Sequence, residues 1–291
     1  MPLPPLSEQC AIAAFLDQEV GKVNALIAKK HQLIERLAEY RTALITQTVT
    51  KGLPPEAAEA EEVDPSPRQK PSGVEWLGEM PEHWESKRLK FLTSTNDDSL
   101  SETEDPLRAI AYVDIGSVDP SAGITHTEDM VFEDAPSRAR RLVRDGDTII
   151  STVRTYLRAI APIRNPPPDT VVSTGFAVIR PQKLDSEFAT WAFREYGFIE
   201  EIVARSTGVS YPAINASQIG DLPIPLPPRS EQRAIAAFLE REAAHIDALS
   251  SRVEAAIDRL QEYRTALITA AVTGKIDVRD YAAVETDGSA A

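Results

Sequence analysis

One stretch of sequence occurs twice in this chain, and this repeat constrains the fold more than any other feature. Residues 2–50 and 225–273 align without a gap at an offset of 223 residues, and 29 of the 49 aligned positions are identical. Both copies begin with PLPP followed by SEQ, continue with AIAAFL and contain EYRTALIT. Self-similarity over this length predicts the same structural unit twice, once near each end of the sequence.

Each copy of the repeat is predicted to form one long helix. The prolines give an extended lead-in, Ser7 and Ser230 are candidate N-caps, and no further proline follows within either copy. Apolar side chains then recur at alternating steps of three and four residues, which is the heptad seam of a coiled coil. The seam residues are Leu16, Val23, Ile34, Leu37 and Leu44 in the first copy and Leu239, Ile246, Ile257, Leu260 and Leu267 in the second.

These helices need a partner, because either one alone would leave an apolar stripe in water. Residues 51–224 lie between the two copies. If the helices pair within the chain, the ends of that segment return to one place and the helices run antiparallel. The alternative is that the repeats dimerise the protein, and the two arrangements do not exclude each other.

Between the helices the sequence changes to short segments of mixed composition. AIAYVDIGSV, DTIISTVR and TVVSTGFAVIRP predict strands, whereas SEFATWAFREYGFIEEIVARS has the apolar spacing of a helix. We therefore predict an α+β fold, with one globular domain and two long helices that form an antiparallel coiled coil. The predicted segments are a first helix at 1–51, a flexible acidic, proline-rich linker at 52–71, the globular domain at 72–222, a second helix at 223–276 and a tail at 277–291.

The charge balance argues against a nucleic-acid-binding protein that acts unaided. The formal net charge is -14, whereas neutralisation of phosphates by Lys and Arg normally supplies most of the affinity. Much of the acid, however, lies in the predicted linker and in residues 96–105. By contrast, seven arginines between Arg138 and Arg164 share their stretch with only Asp145 and Asp147, so this stretch is a candidate basic patch.

The cellular compartment is predicted from cysteine usage and from the N-terminal sequence. Cys10 is the single cysteine, which excludes an internal disulfide and a cysteine-based zinc cluster. The first residues lack the pattern of a signal peptide, and no apolar run is long enough to cross a bilayer. We expect a cytoplasmic protein without a membrane partner.

Three segments of the chain resemble a known family. PSGVEWLGEMPEHWESKRLKFL, GDTIISTVRTYLRAI and STGVSYPAINASQIGDLPIPLPPRSEQRAIAAFL are similar to the opening, the body and the exit of a target-recognition domain in the specificity subunits of type I restriction-modification enzymes. The two helical repeats resemble the conserved regions of that family. The family plan is recognition domain, spacer, recognition domain, spacer, whereas this chain matches spacer, recognition domain, spacer.

The resemblance implies a non-catalytic subunit that binds double-stranded DNA and carries no cofactor. It would read one half of a split site and assemble with methyltransferase and restriction subunits, which would carry methyl transfer from S-adenosylmethionine and ATP-driven restriction. The second recognition domain would come from a homodimer or from a separate recognition-domain chain.

Two segments of the globular domain combine residue types that contact DNA. Arginine can bond bidentately to guanine and asparagine to adenine, while Ser, Thr and Tyr mostly contact phosphates. The candidate DNA-binding residues are Arg154, Tyr156 and Arg158 in the first segment and Arg205, Thr207, Ser210, Tyr211 and Asn215 in the second. The alternatives are a strand with ordinary surface arginines in the first segment, and capping and packing roles for Tyr211 and Asn215 in the second.

Catalytic interpretations are less well supported by the sequence. Asn165-Pro166-Pro167-Pro168-Asp169 begins like a methyltransferase motif but lacks the aromatic residue at the fourth position, and no glycine-rich turn for a methyl donor precedes it. The four histidines are scattered, and no convincing nuclease carboxylate precedes Glu85-Ser86-Lys87. We therefore predict no catalytic residues and no metal site. Two further hypotheses stay open: a coiled-coil assembly adaptor, and a truncated remnant without DNA specificity of its own.

Overall fold

The computed structural model describes residues 4–120 and 122–278. The helices are α1 (Leu6–Lys51), α2 (Pro55–Ala60), α3 (Ser186–Phe193), α4 (Tyr196–Arg205), α5 (Ala216–Gly220) and α6 (Arg229–Val272). The strands are β1 (Gln69–Pro71), β2 (Glu79–Pro81), β3 (Glu85–Arg88), β4 (Thr93–Thr95), β5 (Ala109–Val113), β6 (Val118–Asp119), β7 (Gly123–Ile124), β8 (Glu128–Val131), β9 (Ala139–Leu142), β10 (Thr148–Ser151), β11 (Ile160–Pro162), β12 (Thr170–Ser173), β13 (Phe176–Pro181) and β14 (Pro223–Leu226). Single turns of 3-10 helix occur at Leu89–Phe91, Ile115–Ser117, Phe132–Asp134 and Thr155–Leu157.

The chain divides into two compact units. One unit combines residues up to Arg41 with those from Ala243 onward, and the other, which we call the central unit, is Thr42–Glu242. The predicted α+β class and the two long helices are confirmed. The predicted tail at 277–291 lies outside the described residues from position 279 onward.

In the first unit the two long helices run antiparallel. Ala11 and Phe15, near the start of α1, share an apolar cluster with Leu267 and Ala271, near the end of α6. At the opposite end of this pairing, Arg41 Nη1 lies 2.8 Å from Asp247 Oδ1. All ten predicted seam residues are buried or half-buried, including Leu44 and Leu239, which belong to the central unit.

The helix starts differ slightly from the prediction. Both helices begin one residue before the candidate capping serines, at Leu6 and at Arg229. The prolines of the lead-in provide the first acceptors: the backbone N–H of Gln9 donates to Pro5 O at 3.0 Å, and that of Gln232 donates to Pro228 O at 2.9 Å. Ser7 and Ser230 therefore lie within the first turn and are not the caps.

Two four-stranded sheets form most of the central unit. The first has the order β11-β10-β13-β4 and is antiparallel throughout, and the second has the order β8-β5-β12-β9 with β5 and β12 parallel. An apolar cluster joins them, since it contains Ile149 and Val178 of the first sheet and Val113 and Val172 of the second. Burial of these β-branched side chains between two sheets is a main source of stability for such a fold.

Two predicted segments are divided by local chemistry. TVVSTGFAVIRP forms β12 and β13, which lie in different sheets, and the chain passes between them at Gly175. A Cβ on Gly175 would lie 2.8 Å from Ile115 Cδ1, so the close packing here requires glycine. The predicted helix after Asp185 divides into α3 and α4, because the Glu195 carboxylate accepts a hydrogen bond from Phe198 N–H at 2.7 Å and starts a new helix.

The predicted flexible linker contains regular structure. Helix α2 lies within 52–71, and β1 pairs with β2 at the end of that segment. Leu53 and Ala58 are buried, which explains why an acidic, proline-rich sequence is nevertheless packed.

Candidate nucleic-acid interface

The two segments that were singled out for DNA contact lie side by side in the central unit. Val153 forms an antiparallel bridge with Ala213, which also bridges Thr207. The N–H of Arg154 donates to Pro212 O at 2.8 Å, and the N–H of Ile214 donates to Thr152 O at 2.9 Å. The first segment, residues 151–158, starts at the last residue of β10, and the second, residues 205–215, starts at the last residue of α4 and ends before α5. The backbone bonds join them into one structure, which we call the recognition surface.

A single 3-10 turn presents the side chains of the first segment. Arg154 and Arg158 flank the turn Thr155–Leu157, and both have left-handed backbone conformations, each with φ of 52°. Such a conformation costs a non-glycine residue about 1–3 kcal/mol, and it is found mainly where the surrounding structure fixes it for a purpose. The Thr155 hydroxyl, which donates to Ser206 Oγ at 2.8 Å, anchors the turn to the second segment.

Arg154 is held by an aromatic ring and not by a carboxylate. The guanidinium of this exposed residue lies 4.9 Å from the centre of the Tyr211 ring, and the stacking orients the planar group. Among the residues that the structure describes, Arg154 forms no ion pair. Tyr156 and Tyr211 are 52% and 64% exposed, so both are available to a ligand.

The other two candidate arginines are partly neutralised. Arg158 pairs with Glu200 and stacks 5.3 Å from the centre of the Tyr196 ring. Arg205 pairs with Glu201 at 2.9 Å. These arginines are therefore less suited than Arg154 to phosphate or base contact, unless the exposed pairs open on binding.

The remaining candidates have mixed roles. Asn215 caps α5, because its backbone N–H donates to Gln218 Oε1 at 3.0 Å in a capping box. Its capping role, which was the alternative interpretation, is thus present. Thr207 contributes its backbone to the bridge with Ala213, and its side chain and that of Ser210 are exposed on the recognition surface.

The candidate basic patch between Arg138 and Arg164 is partly neutralised by carboxylates. Arg144 pairs with Asp98 at 2.9 Å, and Arg164 pairs with Glu187 and Glu240. Those carboxylates come from other parts of the sequence, so counting charges within one stretch missed them.

A partly buried ion cluster joins Arg180 to Asp147 and Asp98. Arg180 bonds to both oxygens of the buried Asp147 at 2.8 Å and to Asp98 at 2.8 Å. Hydrogen bonds and attraction from these carboxylates raise the pKa of Arg180. The same contact with Arg180, together with Arg144, lowers the pKa of Asp98.

Sequence reasoning missed two exposed apolar side chains of the recognition surface. Val209 is 103% exposed at the tip of the second segment, and Leu157 is exposed on the 3-10 turn. Next to this surface, the exposed Tyr196 stacks with Arg158. The sequence signal that could have pointed to Val209 is its position between Gly208 and Ser210, in a segment whose other residues are mostly polar. Two tryptophans are packing residues, since Trp84 is fully buried and Trp76 meets Phe198 edge to face at 6.3 Å.

A match to a family model covers the part of the chain that carries this surface. Residues 121–259, slightly less than half of the chain, match the family described as the type I restriction modification DNA specificity domain. The resemblance drawn from the opening, body and exit motifs is therefore confirmed.

Relatives within the specificity family agree with this assignment. The chain is 23% identical over 282 residues to the specificity subunit of the type I restriction enzyme EcoDI of Escherichia coli, covering 94% of this chain and 62% of that subunit. It is 23% identical over 290 residues to the MjaVIII specificity subunit of Methanocaldococcus jannaschii, covering 96% of this chain and 63% of that one. The chain thus spans less than two thirds of the length of either relative.

A solved chain from the type I R-M system is similar in structure as well as in sequence. It was determined in work on complex assembly and conformational transition, and it is 34% identical with a TM-score of 0.56. The match covers 64% of this chain and 49% of the solved chain.

Within 4–120 and 122–278, no cluster of His, Cys, Asp and Glu side chains could hold a metal ion. No helix in the same ranges is both long and apolar enough to cross a membrane.

Proposed function

We propose that this chain is a DNA-recognition subunit of a type I restriction-modification complex and that it reads one half of a split site. The observation that carries the proposal is the union of residues 151–158 and 205–215 in one exposed surface, with Arg154 oriented on Tyr211. An arginine fixed by stacking can present two donors to the O6 and N7 atoms of a guanine in the major groove. Tyr156, Thr207 and Ser210 would contact phosphates around it.

The acidity of the chain favours recognition within an assembly. With a net charge of -14 and with several arginines paired to carboxylates, the chain has little long-range attraction for DNA. In our proposal, basic surfaces of the methyltransferase and restriction subunits supply that attraction, and this chain supplies selectivity. Methyl transfer and cleavage belong to those subunits, and no cofactor is assigned to this chain. We place the assembly in the cytoplasm.

The two copies of the repeat differ in how deeply the side chains at the start of each long helix are buried. This difference bears on where a second recognition domain would bind. At the start of α6, Gln232 and Ile235 are 2% and 1% exposed. Their counterparts in the first copy, Gln9 and Ile12, are only half-buried, and Ala13 is exposed.

Two side chains at the start of α6 form hydrogen bonds with other parts of the central unit, and both have identical counterparts in the first copy. Glu231 accepts the indole N–H of Trp84 at 2.8 Å, and Gln232 accepts the backbone N–H of Asp185 at 2.8 Å. The counterparts are Glu8 and Gln9. We propose that a second recognition domain packs on the face of α1 that carries Glu8 and Gln9. This domain would come from a second copy of the chain or from a separate chain. A homodimer would read a palindromic split site, because protein twofold symmetry is mirrored in the DNA.

Binding by the chain together with its modification subunit tests the function. Fluorescence anisotropy would measure the affinity for a duplex that carries the site methylated by the complex and for duplexes substituted at single positions of that site. The measurement would be repeated over a series of salt concentrations. We expect the cognate duplex to bind at least about a thousandfold more tightly than unrelated sequence. Equal affinity for all sequences would favour the adaptor or the remnant, and sedimentation of a lone monomer with and without the partner would remove the homodimer.

A further inference from the structure

Apolar side chains are concentrated on the recognition surface, where a purely phosphate-binding surface would not need them. Val209, Tyr211, Tyr156 and Leu157 are all exposed, and they come from the two segments that the backbone bonds join. Exposed apolar side chains scattered singly are common, whereas several in one small region of the surface are typical of an interaction site.

Val209 is displayed by a loop that is closed at its base. Thr207 and Ala213 exchange two backbone hydrogen bonds, each of 2.9 Å, so only five residues form the loop between them. Gly208 has φ of 113°, and a Cβ at this position would lie 3.1 Å from Tyr211 O. The glycine therefore permits a tight turn that projects Val209 away from the protein.

The chemistry of DNA restricts what an exposed valine can meet there. The apolar group that a base edge offers in the major groove is the C5-methyl group of thymine, and aliphatic side chains contact it. Phosphates offer no apolar partner for a branched aliphatic side chain, and the C–H groups of deoxyribose are the same at every base and carry no sequence information. Arg154, held on Tyr211 two residues along from Val209, is placed for a neighbouring base pair.

We infer that Val209 is a specificity-determining residue that contacts the C5-methyl group of a thymine, next to a guanine contacted by Arg154. This inference rests on the proposed function and extends it, because it assigns a base type to the half-site. It predicts a T·A pair within one or two base pairs of a G·C pair in the sequence that this domain reads.

Uracil substitution tests the contact directly, because deoxyuridine differs from thymidine only by the methyl group. Each thymine of the half-site is replaced singly by deoxyuridine, and affinity is measured for the complex of the full chain with its modification subunit. We expect one position at which the wild-type complex loses about three- to fivefold in affinity, as for one buried methyl group. In Val209→Ala the thymine and uracil duplexes should bind equally at that position, whereas Val209→Thr should keep part of the difference.

Leu107→Ala is the matched control, since Leu107 is 71% exposed in the same unit but belongs to neither segment. This variant should discriminate thymine from uracil as the wild type does. If Val209→Ala binds the site specifically and keeps the full discrimination, the thymine contact is wrong while the proposed function stands. If the wild-type complex shows no sequence preference at all, the proposed function fails, and this inference fails with it.

Discussion

Replacing Glu231 with alanine removes the side chain that joins α6 to a tryptophan of the central unit. The indole N–H of Trp84, a fully buried residue, donates to Glu231 Oε2 at 2.8 Å. The other carboxylate oxygen lies 2.7 Å from Nε2 of His83, which is more exposed. Alanine would leave the buried indole donor without its acceptor.

The expected loss of stability follows from these contacts. A hydrogen bond to a charged group contributes about 1.5–3 kcal/mol, and a buried donor left unpaired costs about 1–3 kcal/mol. The exposed His83 contact adds less than about 1 kcal/mol. We therefore expect Glu231→Ala to lower the free energy of unfolding of the central unit by about 2–4 kcal/mol.

Urea unfolding followed by tryptophan fluorescence measures this loss in the relevant unit, because Trp76, Trp84 and Trp191 all lie within Thr42–Glu242. Glu231→Gln should lose less, since its amide oxygen can still accept the indole N–H. Glu8→Ala, the same change at the equivalent position of the first copy, should change the stability by less than about 0.5 kcal/mol. If Glu231→Ala unfolded within that margin of Glu8→Ala, the contact would not hold the central unit as described.

Three further changes test other parts of the structure. Leu267→Ala in the buried seam should lower the free energy of unfolding by about 2–5 kcal/mol, measured by thermal unfolding followed by circular dichroism. Alanine at the exposed Leu249 should lower it by less than about 0.5 kcal/mol. Equal losses would contradict the seam. Gly175→Ala should destabilise the central unit by about 1–3 kcal/mol in urea, because the new methyl group would meet Ile115, and an unchanged midpoint would contradict this packing. The pKa of Asp98 is lower in the folded protein than its ordinary value of 3.8, so its ion pairs stabilise the fold above that pH and are lost as the pH falls below it. The free energy of unfolding of Asp98→Asn should therefore fall less steeply in acid than that of the wild type. An identical dependence on pH would count against the cluster.

The long helices were predictable because their signals are local and repeated. Heptad spacing, absence of internal proline and a gapless repeat depend on sequence alone, and they predicted both helices, with starts two residues from those observed. The antiparallel pairing followed from chain connectivity. The structure inside the linker was not predictable from its composition, because burial of Leu53 and Ala58 depends on tertiary contacts.

The recognition surface was only partly predictable. The residue types of 151–158 and 205–215 pointed to DNA contact, but their union depends on backbone bridges between residues some sixty positions apart, such as Val153 and Ala213. Charge could not be assigned from the sequence, since Arg158 is paired by Glu200 and Arg164 by Glu240. Val209 was overlooked because residue type alone does not distinguish an exposed valine from a buried one.

Selection of bound sequences from a random duplex pool, with the chain and its modification subunit, tests most directly whether the recognition surface reads DNA. We predict that the wild-type complex enriches one defined half-site containing a guanine, and that Arg154→Ala loses preference at that guanine while the other positions keep theirs. Arg138→Ala, a change at an exposed arginine outside the surface, should enrich the wild-type sequence. An Arg154→Ala complex that enriches the same half-site with the same preference at every position would contradict the account.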